Sequence, residues 1–258
     1  MSIPVIGVPI VTNPFWITRL LMSIDYPVDN FFIVNNNGKG EIDEELDRLT
    51  KITHKFVKNI KVTHLPSNLG VAGAWNLIIK CYMMSPYWII VNDDVAFGPG
   101  FLKEMAEEAE NDPEVGMIHG HHGDFNVGSW DLFLIKEDVV RKYGLFDENL
   151  YPAYCEDVDY IMRFMHDPIK KILSMKSTYY HGLGDKTQYY ECGSQTKKSL
   201  PQLEEKLENS NSTNFKYMTE KWGANWRNCS PTQFPYNSYP ISYTSFDLDF
   251  VRKKHLGF

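Results

Sequence analysis

Five strand-length apolar runs, at Ile3–Ile10, Phe31–Val34, Ile60–Leu65, Tyr87–Val91 and Val115–Ile118, alternate with helix-like segments at Glu41–Lys51, Ala72–Met84 and Phe101–Glu110. This rhythm restricts the chain more than any single motif does. A strand, a helix and a further strand in succession build a mostly parallel sheet with helices on its faces. The Tyr87–Val91 run is continuously apolar rather than alternating, as a strand covered on both sides requires. Gly98-Pro99-Gly100 introduces the third helical segment and Pro113 stops it. The expected fold class is therefore α/β, with one Rossmann-like, mostly parallel sheet flanked by helices.

After residue 120 the rhythm changes. Trp130–Ile135 reads as a strand, Lys136–Tyr143 as a short helix, Cys155–Met165 as an acidic-headed helix and Ile172–Tyr180 as one apolar strand. From about Thr187 the chain turns polar and aromatic, with helical pieces at Gln202–Glu208 and Phe215–Trp222. Trp222, Trp226, Phe234, Tyr236, Tyr239, Tyr243, Phe246 and Phe250 need a surface to pack on, so this extension is expected to wrap onto the core. The expected division is a catalytic, nucleotide-binding domain at 1–186 and a C-terminal extension at 187–258.

The 258 residues, 43% apolar and 23% charged, suffice for one large core. With 26 basic against 33 acidic residues, a net charge of −7 and no long basic run, a nucleic-acid or anionic-membrane surface is not expected. No apolar run reaches bilayer-spanning length and Met1-Ser2-Ile3-Pro4 lacks the form of a signal peptide, so the expectation is a soluble, cytoplasmic protein without an integral membrane segment. Cys81, Cys155, Cys192 and Cys229 lie far apart, without metal-ligand spacing, and are expected as reduced thiols.

Four segments carry candidate chemistry. The run Tyr87–Val91 ends in Asn92-Asp93-Asp94, so two carboxylates stand at the carboxyl end of a buried strand, where open α/β sheets bind ligands. Such a pair can hold a hard cation beside a phosphate, or simply cap the following turn. Asn35-Asn36-Asn37-Gly38 ends another strand with amides, suited to a base or ribose and equally to a plain turn. Asn68-Leu69-Gly70-Val71-Ala72-Gly73-Ala74-Trp75-Asn76 opens a helix with small residues that let a diphosphate approach its N-terminus. Glu156, Asp157 and Asp159 crowd the start of a helix, whose dipole is expected to keep them ionised. Glu156 and Asp159 share a face with Arg163, which the ion-paired start of a surface helix explains equally well, and Asp157 points away as the candidate free base. His119-Gly120-His121-His122 has neither helical pairing nor a cysteine partner, so no zinc site is expected there; the segment either lines a pocket or is a solvated loop.

Taken in order, these segments resemble the inverting glycosyltransferases of family 2 with the GT-A fold, in particular their rhamnosyltransferase-like members. The likeness runs over about residues 3–185 and includes Gly144-Leu145-Phe146-Asp147-Glu148, with a further similarity at Phe215–Gly223. The resemblance implies a hexosyltransferase-type enzyme that moves a sugar from a nucleoside-diphosphate sugar, UDP by preference, to a hydroxyl of a glycan or glycoprotein acceptor. It implies that Asp157 is the catalytic base. Pro9, Val11 and Asn35 would line the base and ribose pocket, and Asn68, Gly70, Gly73 and Asn76 would place the nucleotide. Asn92 and Asp93 would contact ribose or sugar, while Asp94 and His181 would hold a divalent metal, Mn2+ or Mg2+. Asn92 stands where the family's Asp-x-Asp element has its first acid, which removes one charge from the metal site. Alternative readings are a catalytically silent glycan-binding module on this fold, or a sugar-nucleotide pyrophosphorylase. The second lacks a cationic loop after the first strand, where Pro9-Ile10-Val11-Thr12-Asn13 stands.

Overall fold

The computed structural model describes residues 2–120, 129–166, 168–182, 184–185 and 201–228. In chain order the elements are β1 (Ile3–Ile10), α1 (Pro14–Met22), β2 (Val28–Asn35), α2 (Asp43–Leu49), β3 (Val57–His64), α3 (Gly70–Cys81), β4 (Tyr87–Val91), β5 (Val95–Phe97), α4 (Phe101–Asn111), β6 (Val115–Gly120), β7 (Ser129–Lys136), α5 (Glu137–Tyr143), α6 (Glu156–His166), β8 (Lys171–Ser174), β9 (Tyr179–His181), β10 (Gly184–Asp185) and α7 (Pro201–Trp222), followed by a 3-10 turn at Trp226–Asn228. Seven strands form one sheet in the order β3-β2-β1-β4-β7-β6-β8, and β10-β9-β5 form a small second sheet. β1 runs parallel to β2 and β4, and β2 to β3; only β7 is antiparallel to its neighbours β4 and β6.

β4 is central and fully buried. Its Tyr87, Ile89 and Val91 join one core layer with α1, α2 and α4, while Trp88 and Ile90 join the opposite layer with α3, α5 and α6. That two-sided burial is the physical reason for its unbroken apolar sequence. Gly7 in β1 lets α3 come close, since a Cβ there would lie 2.3 Å from the Ile78 side chain.

Three local readings change. α1 was not expected, although Asn13 caps it by accepting from Phe15 N at 3.1 Å and Pro14 occupies its first turn, a recognisable helix start. The single strand expected over Ile172–Tyr180 is two: β8 joins the large sheet beside β6 and β9 joins β5 in the small one. The two helical pieces expected after 201 are one continuous helix, α7.

The last turns of α7 do pack on the core. Met218, Trp222 and Trp226 are buried with Leu150, Cys155 and Met162. Below them lies a buried charge network. Lys221 Nζ is 2.7 Å from Asp147 Oδ2 and 2.6 Å from Asp159 Oδ1, all three side chains being 0% exposed. Arg163 pairs with Asp159 at 3.0 Å, Trp222 Nε1 donates to Asp159 at 2.8 Å, and Tyr217 Oη donates to Asp147 at 2.7 Å. The aromatic residues from Phe234 onward lie outside the described residues.

Candidate active site

The carboxyl ends of β1, β2 and β4 open at one edge of the sheet, and a chain of amide hydrogen bonds ties their loops together. Asn37 Nδ2 donates to Val11 O at 2.7 Å. Asn36, which sequence reasoning did not single out, accepts from Leu69 N at 2.7 Å and donates to Asn68 Oδ1 and Gly70 O at 3.2 and 3.1 Å. Asn68 Oδ1 in turn accepts from Gly70 N at 2.7 Å. Asn35 is 2% exposed and donates to Asp43 Oδ1 at 2.5 Å. Pro9 and Val11 are half-buried, and Gly73 is buried in the first turns of α3.

Gly70 begins α3 at φ +75°, and a Cβ there would stand 2.8 Å from Pro152 O and 2.9 Å from the Tyr151 ring. Val71 N donates to that same Pro152 O at 2.8 Å. The N-terminus of α3 is therefore fastened to the segment that leads into Glu156 and Asp157. Asn76 is fully buried, donates to Phe146 O and Glu148 Oε1 at 2.9 and 2.8 Å, and accepts from Phe146 N at 2.8 Å. Its amide thus holds the Gly144–Glu148 loop in place, while Asp147 of that loop turns to Lys221.

Asn92 is half-buried, whereas Asp93 and Asp94 are 6% and 2% exposed just beyond β4. Burial and the neighbouring Asp94 charge hold the Asp93 carboxyl well above the usual range, and its Oδ2 has no hydrogen-bond partner among the described residues. His181, on β9, is paired through the small sheet with Val95, and its Nε2 lies 3.2 Å from Asp94 Oδ1. On its other side Nδ1 lies 3.1 Å from Asp131 Oδ2. Burial alone lowers the imidazole, but contact with Asp94 and the charges of Asp131, Asp94 and Asp93 more than reverse this and raise it to about 9. Arg19, on the unexpected helix α1, donates to Gly182 O and reaches Asp94 O at 3.5 Å, so it braces both halves of the pair. Among the described residues, no group of three or more His, Cys, Asp or Glu side chains is arranged to hold a metal ion by itself.

Tyr154 and Cys155, at φ 78° and 74°, turn the chain into α6 through two consecutive left-handed residues, a strained route seen where carboxylates must be aimed. Asp157 is half-buried and its Oδ1 accepts from Val158 N at 2.7 Å. At Glu156 and Asp157 the helix N-terminus does not hold the carboxyls down. Burial outweighs the backbone contacts and raises Asp157, and it raises Glu156 still more with the Asp157 charge added. Glu156 is 6% exposed, its Oε2 has no partner among the described residues, and it is not a member of the Asp159–Arg163 ion pair. His119 sits in β6 at 1% exposure against Trp130, not in a loop; His121 and His122 lie outside the described residues. Cys81 and Cys155 are free, and Cys192 and Cys229 also lie outside the described residues.

A mostly parallel sheet with an Asn-Asp-Asp terminus on its central strand, a glycine-led helix beside it and an acidic helix start in the same layer makes a GT-A fold, as the structures it superposes on also show. The sequence profile of glycosyl transferase family 2 matches residues 16–162, more than half of the chain, and the chain belongs to that family. A galactofuranosyl glycosyltransferase of Leishmania donovani is 22% identical over 247 residues, spanning 69% of this chain and 56% of the relative. Among solved structures, the mannosyltransferase PcManGT from Pyrobaculum calidifontis in complex with GDP-Man and Mn2+ superposes with a TM-score of 0.54 at 15% identity, over 66% of this chain and 54% of that one. GalNAc-T7 with UDP, GalNAc and Mn2+ superposes with a TM-score of 0.56 at 11% identity, over 67% and 42%. The chain thus spans about half the length of the relatives it matches. Among the described residues, no helix is long and apolar enough to cross a membrane.

Proposed function

We propose that this chain is a metal-dependent, inverting glycosyltransferase that moves a sugar from a nucleoside-diphosphate sugar, a UDP-sugar foremost, to a hydroxyl of a glycan or glycoprotein. The observation that carries the reading is the Asp94–His181 pair at the end of the central strand. The carboxylate oxygen and the imidazole nitrogen lie 3.2 Å apart, close enough for one ion to take both in place of the proton they share. Two protein donors suit Mg2+ or Mn2+, which take the rest of their shell from substrate phosphates and water. The buried Asp93 Oδ2 makes no hydrogen bond among the described residues and in this reading meets a ribose or sugar hydroxyl. The complexes of PcManGT with GDP-Man and Mn2+, and of GalNAc-T7 with UDP, GalNAc and Mn2+, support this assignment by fold.

In this reading Pro9, Val11 and Asn35 border the nucleoside, and Asn68, Gly70 and Gly73 bring the N-terminus of α3 to the diphosphate. When bound, the cation neutralises negative charge on the departing nucleoside diphosphate. Asp157 accepts the proton of the acceptor hydroxyl while that oxygen bonds to the anomeric carbon. The bond from this carbon to the diphosphate oxygen breaks, its electron pair leaving with the diphosphate, and the single displacement inverts the centre. A carboxyl raised by burial is a stronger base than one in water, which suits this step.

The test is isothermal titration of the protein and of Asp94→Ala with uridine, guanosine and thymidine diphosphates, with and without Mn2+. Manganese-dependent binding of one nucleotide, lost in the variant, is the expected result. Absence of binding by all three under both conditions would overturn the donor assignment and leave the silent glycan-binding module as the reading to pursue.

A further inference from the structure

We propose that Asp131 is the positioning residue that fixes the ring of His181 for metal binding. The inference rests on the reading that Asp94 and His181 hold a divalent cation. Asp131 is 7% exposed near the start of β7, fifty residues from His181 in sequence. Because β7 runs antiparallel to β4, the start of β7 lies beside the end of β4, and Asn92 N donates to Asp131 O at 2.7 Å. The main chain of Asp131 therefore braces the Asn92-Asp93-Asp94 turn while its side chain crosses to the small sheet.

There it meets two residues of β9. Tyr179 and His181 stand two apart on one strand and so face the same side. Tyr179 Oη, 0% exposed, donates to both carboxylate oxygens of Asp131 at 3.1 Å. His181 Nδ1 lies 3.1 Å from Asp131 Oδ2, leaving Nε2 toward Asp94. A neutral imidazole has one protonated and one bare nitrogen, and only the bare one ligates. Carboxylates flank both ring nitrogens; a cation between Asp94 and Nε2 would take the place of the proton there, and Asp131 holds the remaining proton on Nδ1. It also makes Nε2 a better donor to a cation. Tyr179 donates to the same carboxylate, and this second contact restrains Asp131 beside the ring. Within the pair, Asp94 supplies charge and His181 direction, and Asp131 sets that direction.

The experiment is titration with Mn2+ in the presence of UDP, read by the loss of the free-ion EPR signal, on the full chain and on Asp131→Asn, Tyr179→Phe and Asp94→Ala. Loss of an outer carboxylate of this kind costs about 10- to 100-fold in metal affinity, so Asp131→Asn should weaken Mn2+ by that factor. Tyr179→Phe should weaken it less, in the same direction. The ring 15N shifts of His181, recorded with saturating Mg2+ and UDP, should show Nδ1 protonated, and the Nδ1 resonance should move in Asp131→Asn because an amide oxygen pulls that proton less than a carboxylate does, a change that a merely structural role would not produce. Should Asp131→Asn fail to fold, Tyr179→Phe decides by both readouts. Undiminished Mn2+ affinity in the folded variant, with binding lost in Asp94→Ala, would overturn the role of Asp131 and leave the metal reading standing. If the parent protein takes up no Mn2+ with UDP, the metal reading falls and this inference with it.

Discussion

Replacing Lys221 by methionine tests whether the C-terminal helix is part of the catalytic fold or an ornament on it. The lysine is fully buried and shared by Asp147 at 2.7 Å and Asp159 at 2.6 Å, both also fully buried. After the substitution Asp159 keeps Arg163 and the Trp222 indole, but Asp147 loses its only ion-pair partner among the described residues and keeps neutral donors from Tyr217 and Asn149. Stranding a buried charge in this way costs about 3–5 kcal/mol, against a total stability of about 5–15 kcal/mol for a folded domain. At a slope of about 3 kcal/mol per molar urea, the unfolding midpoint at pH 7 should fall by more than about 1 M. The pH dependence adds a second constraint. Burial raises the Asp147 carboxyl, but Lys221, Tyr217 and Asn149 together bring it below the usual range. A carboxyl lowered by folding contributes stability above its unfolded value, about 3.9, and loses it as the pH falls through the folded value. The difference between parent and variant should therefore be full at pH 7, begin to shrink as the pH falls into the range of the carboxyl stranded by burial in the variant, and go on shrinking below about 4. A difference under about 1 kcal/mol at pH 7, or one that does not shrink in acid, would refute the reasoning.

Asp157→Asn should lower kcat by about 10²- to 10⁴-fold while leaving nucleotide affinity intact, since it removes only the proton acceptor; a parallel loss of binding would show that Asp157 supports the pocket instead. Because burial raises Asp157 and a base acts only when ionised, the acid limb of kcat/KM in the parent enzyme should have its midpoint above about 4, and a midpoint at or below that value would contradict the assignment. Gly70→Ala places a Cβ 2.8 Å from Pro152 O at a positive φ, so it should cost about 1–3 kcal/mol in thermal unfolding and weaken nucleotide binding; an unchanged melting temperature would remove the fastening of α3 from the account. Trp222→Phe deletes the indole N–H that donates to Asp159, and should cost about 1–3 kcal/mol in urea unfolding. Full stability in that variant would mean that the indole bond contributes nothing.

The strands and helices of the first two-thirds were legible because burial on two faces leaves an apolar run that a reader can see, as in Tyr87–Val91. The break between β8 and β9 was not, because Ile172–Tyr180 is apolar throughout and only the partners, β6 and β5, decide which sheet each half joins. α1 is announced in the sequence by Asn13-Pro14, a cap followed by a first-turn proline. Its Arg19 reaches Gly182, and no sequence spacing links residues so far apart.

The sequence by itself determined the class of fold and the inventory of chemistry: two carboxylates at the end of a buried strand, amide-rich turns, a glycine-led helix and an acidic helix start. Those follow from local periodicity and residue type. Tertiary structure decided which groups meet and in what state. It set Asp131 behind His181, gave Asn76 to the Gly144–Glu148 loop and Lys221 to Asp147 and Asp159, and raised Asp157 where the helix dipole alone would have kept it low. Contact and burial belong to segments brought together from across the chain, and electrostatics in a dry interior is set by those neighbours rather than by the residues adjacent in sequence.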